Sequence, residues 1–103
     1  MKNLVFAFAL LCSTSLVAQF SFNENGIGIQ SATTTASGDF STAMGYTNVA
    51  SGTVSTAMGQ GNTASGFVST ALGEFTQASG NYSTAMGQGT SAQDYGTIAI
   101  GIF

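Results

Sequence analysis

The sequence is poor in charged residues and lacks most of the side chains that carry chemistry. Of its 103 residues 5% are charged, there is no His, Trp or Pro, and Lys2 and Cys12 are the only cation and the only thiol. The usual nucleophile–base pairs cannot be assembled from this set, so we expect no catalytic residue and no enzymatic activity. A single cation cannot neutralise a phosphate backbone or hold the chain on anionic lipid, which argues against a nucleic-acid or membrane-surface partner.

The acidic residues are few and lie far apart in the sequence. They are Glu24, Asp39, Glu74 and Asp94. We interpret them as solvated surface charges, because they share no spacing that would pair two carboxylates for acid–base work or build a calcium cage. The sequence therefore predicts no metal site and no cofactor.

The N-terminal segment 1–19 has the pattern of an export signal. Lys2 is followed by an apolar run over residues 4–11, which is too short to span a bilayer, and then by small residues that suit cleavage near Ala18 or Gln19. A buried N-terminal helix is the alternative, but the polar stretch over residues 21–30 does not continue one. We predict a signal peptide at 1–19, and the processed chain then has neither a thiol nor a cation.

From Ala36 onward the sequence repeats every 14 residues without a slip. The full blocks are ASGDFSTAMGYTNV, ASGTVSTAMGQGNT, ASGFVSTALGEFTQ and ASGNYSTAMGQGTS, and a partial block, AQDYGTIAIGIF, follows them. In the partial block Ile98 takes the Thr place and Ile100 takes the Met place. The Thr place thus accepts β-branched residues and the Met place accepts large apolar ones, which is typical of β-strands.

Each block is long enough for two strands and two turns, but not for a unit that contains a helix. One strand is Ser-Thr-Ala-Met, ended by Gly, and the other is shorter and lies near the Ala-Ser-Gly corner. The glycines are natural turn positions, because a backbone with positive φ carries no Cβ penalty there. The predicted turn glycines are Gly38, Gly45, Gly52, Gly59, Gly66, Gly73, Gly80, Gly87 and Gly101. We predict an all-β chain in which the blocks stack as coils of a parallel β-solenoid, about 4.8 Å apart.

Stacking places equivalent residues in ladders, and alternation along a strand puts Thr and Met on one face and Ser and Ala on the other. The pattern alone does not fix which face is the interior, but a narrow coil holds only small side chains, which favours Ser and Ala inside. The predicted coil-interior ladder is Ala43, Ala57, Ala71, Ala85 and Ala99. The predicted trimer-interface or core ladder is Met44, Met58, Leu72, Met86 and Ile100.

An apolar ladder on the outside of a small solenoid predicts an oligomer. About five coils bury little by themselves, and a continuous exposed apolar stripe marks an interaction surface. Copies of the chain that press these ladders together around an axis would complete the core, and cyclic closure is the common arrangement.

Aromatic residues occupy the variable places of the repeat. A rim of such residues on the outside could contact a ligand, although packing between neighbouring subunits is the alternative. The candidate ligand rim is Phe40, Tyr46, Phe67, Phe75, Tyr82 and Tyr95. We predict that residues 20–35 form a degenerate first coil or N-terminal cap, which solenoids use to block edge pairing, and that 36–103 are the repeats proper.

The block Ala-Ser-Gly-x-x-Ser-Thr-Ala-Met-Gly resembles the head repeat of YadA-like trimeric autotransporter adhesins, and Thr97-Ile98-Ala99-Ile100-Gly101 is nearest to the family form. The resemblance covers residues 36–101. It implies a left-handed parallel β-roll, a homotrimer, display at the outer surface or release from the cell, and adhesion to host matrix protein or to other cells.

The sequence departs from complete adhesins of that family, which also carry a heptad-repeat stalk and a C-terminal membrane-anchor barrel. No heptads occur here, and we expect no membrane anchor within this chain. Two other interpretations remain open. One is a non-adhesive structural segment of a bacterial surface fibre. The other is an ice-binding β-solenoid with a regular Thr ladder, which the neighbouring Met ladder and Ile98 argue against.

Overall fold

The chain forms two β-sheets, parallel except at the N-terminal edge of one of them, that are wound as one solenoid. The computed structural model describes residues 21–22, 29–31 and 33–103, so the predicted signal peptide at 1–19 lies outside the described residues. The strands are β1 Ser21–Phe22, β2 Ile29–Gln30, β3 Thr35–Ala36, β4 Thr42–Tyr46, β5 Val49–Ala50, β6 Thr56–Gln60, β7 Thr63–Ala64, β8 Thr70–Glu74, β9 Gln77–Ala78, β10 Thr84–Gln88, β11 Ser91–Ala92 and β12 Ile98–Ile102.

From β3 onward the long strands and the short strands build separate sheets. The long-strand sheet has the order β1-β2-β4-β6-β8-β10-β12 and the short-strand sheet the order β11-β9-β7-β5-β3. Between β4 and β12 every long strand pairs in parallel with the equivalent strand of the next block, so that Met44 lies beside Met58 and Met86 beside Ile100. The predicted stack of repeat-length coils is thereby confirmed, and we call each coil a rung.

The interior between the two sheets is lined by small side chains. The nine alanines from Ala36 to Ala92 at intervals of seven residues are all 0% exposed, and Ala99 in the last rung packs against them while remaining half-buried. Serines just before the long strands share this interior, since Ser55 and Ser69 are also 0% exposed. A cross-section this narrow leaves no room for larger apolar groups, so the long apolar side chains of the repeat must point outward.

The long strands run further than the sequence predicts. Gly45 and its equivalents are expected to end the strand in a turn, but in the structure Gly45 pairs with Gly59 inside the sheet and Tyr46 is the last strand residue. The φ angle of Gly45 is 113°, and a Cβ there would overlap the carbonyl oxygen of Gly59. Glycine is required because the neighbouring rung approaches this backbone closely, in a conformation that L residues rarely adopt. Gly59, Gly73, Gly87 and Gly101 occupy the same strand position.

The N-terminal end of the stack is less regular than the rest. β2 pairs with β4 out of register with the repeat, Ile29 beside Thr42, and β1 adds to its outer edge as an antiparallel strand. Of the predicted cap at 20–35, the described residues thus contribute two short strands and the first residue of β3, Thr35. β1 has only two residues, and a very short edge strand is a known way of limiting further pairing at a sheet edge.

Candidate interaction surface

The outward face of the long-strand sheet is a ladder of Thr and Met side chains, which we call the Thr-Met face. Thr42, Met44 and their equivalents in the next three rungs are all half-buried. The last rung presents Ile98, Ile100 and Ile102, which are 69%, 70% and 82% exposed. The predicted interface ladder of Met44, Met58, Leu72, Met86 and Ile100 therefore lies outside the coil, as one continuous apolar stripe along its length.

The outward face of the short-strand sheet has a different chemistry. Its strand residues are Thr35, Val49, Thr63, Gln77 and Ser91. The residue after each short strand is Ser in the first four rungs and Gln93 in the last. This short-strand face is mostly polar and uncharged, so water can solvate it, whereas the Thr-Met face gains free energy when it is covered.

The two sheets meet at two corners of different construction. The Asn corner comprises residues 47–48, 61–62, 75–76 and 89–90, between each long strand and the next short strand. Here Asn48 and Asn62 are 0% exposed. The Asn62 amide nitrogen donates to the carbonyls of Met58 and Gly73 at 2.8 and 2.7 Å, and its Oδ1 accepts from the backbone and the hydroxyl of Thr76 at 2.9 and 2.8 Å.

This buried column runs through successive rungs. Asn48 donates to Met44 and Gly59 and accepts from the backbone of Asn62, while Thr90 donates to Met86 at 3.1 Å. Each buried amide thus joins two rungs by hydrogen bonds to backbone carbonyls of both. This column was not identified from the sequence, although its signal, Asn or Thr at one fixed place of each full block, is present in the repeat.

The Ser-Gly corner comprises residues 37–41, 51–55, 65–69, 79–83 and 93–97. Its tight turn is closed by the Ser41 amide, which donates to the Gly38 carbonyl at 3.2 Å. The fourth residue of each turn has positive φ, from 53° to 67°, and in four rungs it is not glycine. These residues are Phe40, Val54, Val68 and Tyr82, which we call the left-handed column; the fifth rung has Gly96.

The left-handed conformation has a clear cause. Amides in the strands donate to the following rung, as Thr42 does to Ser55, but the amide of Val54 donates back to Asp39 at 2.8 Å and that of Val68 to Thr53 at 2.9 Å. The positive φ reverses the amide, so that hydrogen bonding between rungs continues through the corner. For a non-glycine residue this backbone costs about 1–2 kcal/mol, and it is most unusual for β-branched Val.

Three of the six candidate rim residues lie together. Phe67, Tyr82 and Tyr95 come from three successive rungs of the Ser-Gly corner. The ring centroids of Phe67 and Tyr82 are 5.5 Å apart and those of Tyr82 and Tyr95 are 5.3 Å apart, both edge to face. Edge-to-face contacts hold exposed rings in fixed orientations, which makes this aromatic cluster a preorganised surface.

The other three candidate rim residues are not part of this cluster. Phe40 lies in the left-handed column, in the first rung of the Ser-Gly corner. Tyr46 ends β4 and Phe75 belongs to the Asn corner, so both lie on the other side of the roll. The Phe75 ring packs over Gly61 of the preceding rung, where a Cβ would come within 2.6 Å of the ring. Phe75 therefore fills space over a glycine while remaining 60% exposed.

Charge has little part in this surface. Asp39, Glu74 and Asp94 are the acidic residues of the described chain, and no cluster of metal-ligand side chains occurs over residues 21–22, 29–31 and 33–103. Over the same ranges, no helix has the length and hydropathy to cross a membrane. The surface therefore offers apolar and aromatic contact area and uncharged hydrogen-bonding groups.

Comparison with known families identifies the repeat. The family model of the YadA head domain repeat (2 copies) matches residues 27–48, 36–62, 50–73, 64–90 and 78–102. The chain belongs to the YadA head domain repeat family. No curated protein and no solved structure matches the chain.

The YadA head match spans the parts of the roll described above. It begins before β2 and ends with β12, so both sheets, both corners and the aromatic cluster lie inside it. The resemblance inferred from the Ser-Thr-Ala-Met-Gly motif is thereby confirmed. Membership of this family implies trimeric self-association.

Proposed function

We propose that this chain is the head of an exported adhesin, which trimerises through its Thr-Met face and attaches cells to matrix protein or to other cells through its outer surface. Its role is binding, not catalysis, and its place is the cell surface or the surrounding medium. Membership of the YadA head family is the observation that carries this proposal.

The contrast between the two faces supports self-association. The Thr-Met face runs along every rung with Met, Leu or Ile in its centre, and it carries no charged side chain at the Thr and Met places. Three such faces around one axis would remove these side chains from water and leave the polar short-strand faces outside. Each buried methylene contributes roughly 0.8 kcal/mol, and every side chain on the axis recurs in each subunit.

The aromatic cluster supports a ligand-binding role for the outer surface. Tyr and Phe give large contact areas with little loss of side-chain entropy, and Ser, Asn and Gly around them provide adaptable hydrogen bonds. Phe67, Tyr82 and Tyr95 are 42%, 48% and 77% exposed, and they stand on a scaffold of otherwise constant rungs. Variable side chains on a constant scaffold are typical of repeat proteins that bind partners.

Solid-phase binding tests the adhesive role. The processed protein would be applied to immobilised collagen, to fibronectin and to whole cells, and saturable binding to at least one of them is expected. The pair Phe67→Ser and Tyr95→Ser should lower the apparent affinity at least tenfold. Tyr46→Ser, which removes a 59% exposed aromatic ring outside the cluster, should leave the affinity within about twofold.

Two results would count against adhesion. Absence of binding to every surface by a well-folded trimer would favour a structural fibre segment. Thermal hysteresis in a freezing assay would favour ice binding through the Thr ladder.

A further inference from the structure

The left-handed column of the Ser-Gly corner has large side chains at positions where glycine would relieve backbone strain. Phe40, Val54, Val68 and Tyr82 hold φ between 53° and 60° in four consecutive rungs. The Asn corner has the same backbone requirement but places Gly61 and Gly89 at two of its left-handed positions. The repeat therefore accepts glycine at such a position, and the side chains in the Ser-Gly corner are kept for a reason other than backbone geometry.

Contacts within one protomer leave much of these side chains uncovered, although Tyr82 packs edge to face with Phe67 and Tyr95. In the isolated chain Phe40 is 66% exposed, Tyr82 48%, Val54 44% and Val68 37%. A strained residue that also exposes apolar surface loses free energy on both counts. A partner that covers the column would turn the second loss into a gain.

The column has the right geometry to meet another copy of the chain. Its members recur once per rung, so they form a straight apolar stripe parallel to the stack with the rung spacing of about 4.8 Å. A neighbouring roll with its axis parallel has the same spacing and can meet every member in register. The column also continues directly into the Thr-Met face, because each turn leads into the long strand through one buried residue such as Ser55.

We propose that the left-handed column is a seam between adjacent protomers of the trimer, separate from the contacts that the Thr-Met face makes on the axis. In a cyclic trimer such a contact is heterologous: the column of one protomer meets a different surface of the next. The seam rests on the proposed trimer. It divides the Ser-Gly corner into two parts: the left-handed column is the subunit contact, and the rings of Phe67 and Tyr95 remain open to a ligand.

Two pairs of substitutions separate the seam from backbone effects. Val54→Thr with Val68→Thr keeps the β-branched shape and the strain but replaces apolar methyl groups with hydroxyls. Val54→Asn with Val68→Asn also relieves strain, because Asn tolerates the left-handed region. Thr47→Asn in the Asn corner is the control, since Thr47 has φ of 53° and lies outside the column.

Sedimentation over a dilution series, with circular dichroism to verify strand content, gives the concentration at which each trimer is half dissociated. Both Val pairs should raise that concentration at least tenfold. The Asn pair should do so even though its protomer melts at the same temperature as the wild-type protomer or at a higher one. Thr47→Asn should change the concentration by less than about twofold. A folded protein with either Val pair and an unchanged midpoint would overturn the seam but leave the trimer and its adhesive role standing. A monomeric wild-type protein would overturn the trimer and the seam together.

Discussion

Both corners of the roll turn the chain from one sheet to the other, but they do so through different interactions. At the Asn corner, buried side chains tie one rung to the next, and the outer positions alternate between glycine and larger residues. At the Ser-Gly corner, backbone hydrogen bonds make the turn, and the hydroxyls of Ser55, Ser69 and Ser83 are buried with no hydrogen-bond partner in the described part of the chain. The Asn corner thus stabilises the protomer through buried hydrogen bonds, while the Ser-Gly corner exposes variable side chains at the surface.

The largest effect on the protomer is expected at the centre of the Asn corner. Asn62→Ala removes both donors to Met58 and Gly73, and it removes the acceptor of the buried Thr76 amide and hydroxyl. We expect a loss of at least about 3 kcal/mol in the free energy of unfolding, measured by denaturant titration.

Thr90→Ala is the control within the same column. Thr90 is only half-buried and makes a single side-chain hydrogen bond, to the Met86 carbonyl. A loss of about 1 kcal/mol is expected. Equal losses for the two variants would mean that the amide column is not what holds this corner together.

A smaller effect is expected where Phe75 covers Gly61. Gly61→Ala introduces a methyl group at φ of 65° and within 2.6 Å of the Phe75 ring, and we expect a loss of roughly 2 kcal/mol. Gly96→Ala in the Ser-Gly corner has φ of 67° with no atom within 4 Å, so it isolates the backbone cost of about 1 kcal/mol. Thermal unfolding of both variants, each with and without Phe75→Ala, measures the difference. If Phe75→Ala does not reduce the cost of Gly61→Ala, the ring contact has no energetic role.

The smallest effect is expected inside the Ser-Gly corner. Ser69→Ala removes a buried hydroxyl that has no partner, and the free energy of unfolding should change by less than about 1 kcal/mol in either direction. Ser41→Ala should cost about 1 kcal/mol, because the Ser41 hydroxyl donates to the Gly38 carbonyl at 2.6 Å. Denaturant titration of both variants measures the difference, and an equal, clearly resolved loss at the two positions would show that the serine ladder is bonded throughout.

The sequence predicts the stack well because the repeat determines the register of the strands. A gapless 14-residue period with Ala at fixed places leaves one way to align the rungs, and alternation then separates Thr and Met from Ser and Ala. The exact end of the long strand could not be predicted from the sequence, because the positive φ of Gly45 is compatible with either a turn or a distorted strand.

The corners could not be predicted in the same detail. The left-handed column has no common residue type, since it consists of Phe40, Val54, Val68 and Tyr82. The left-handed region disfavours β-branched and bulky side chains, so residue propensities do not indicate the column. The aromatic cluster depends on which variable places fall on the same corner, and only the path of the chain around the coil decides that. Phe67 and Tyr95 join Tyr82 there, whereas Tyr46 and Phe75 do not.

The mass of the processed protein in solution tests the central claim most directly, which is that sister subunits cover the Thr-Met face. Sedimentation of residues 20–103 should give three times the mass of one chain, Leu72→Lys on that face should give a monomer, and Gln77→Lys on the short-strand face should remain trimeric. A wild-type protein that is a well-folded monomer with full strand content would contradict the account.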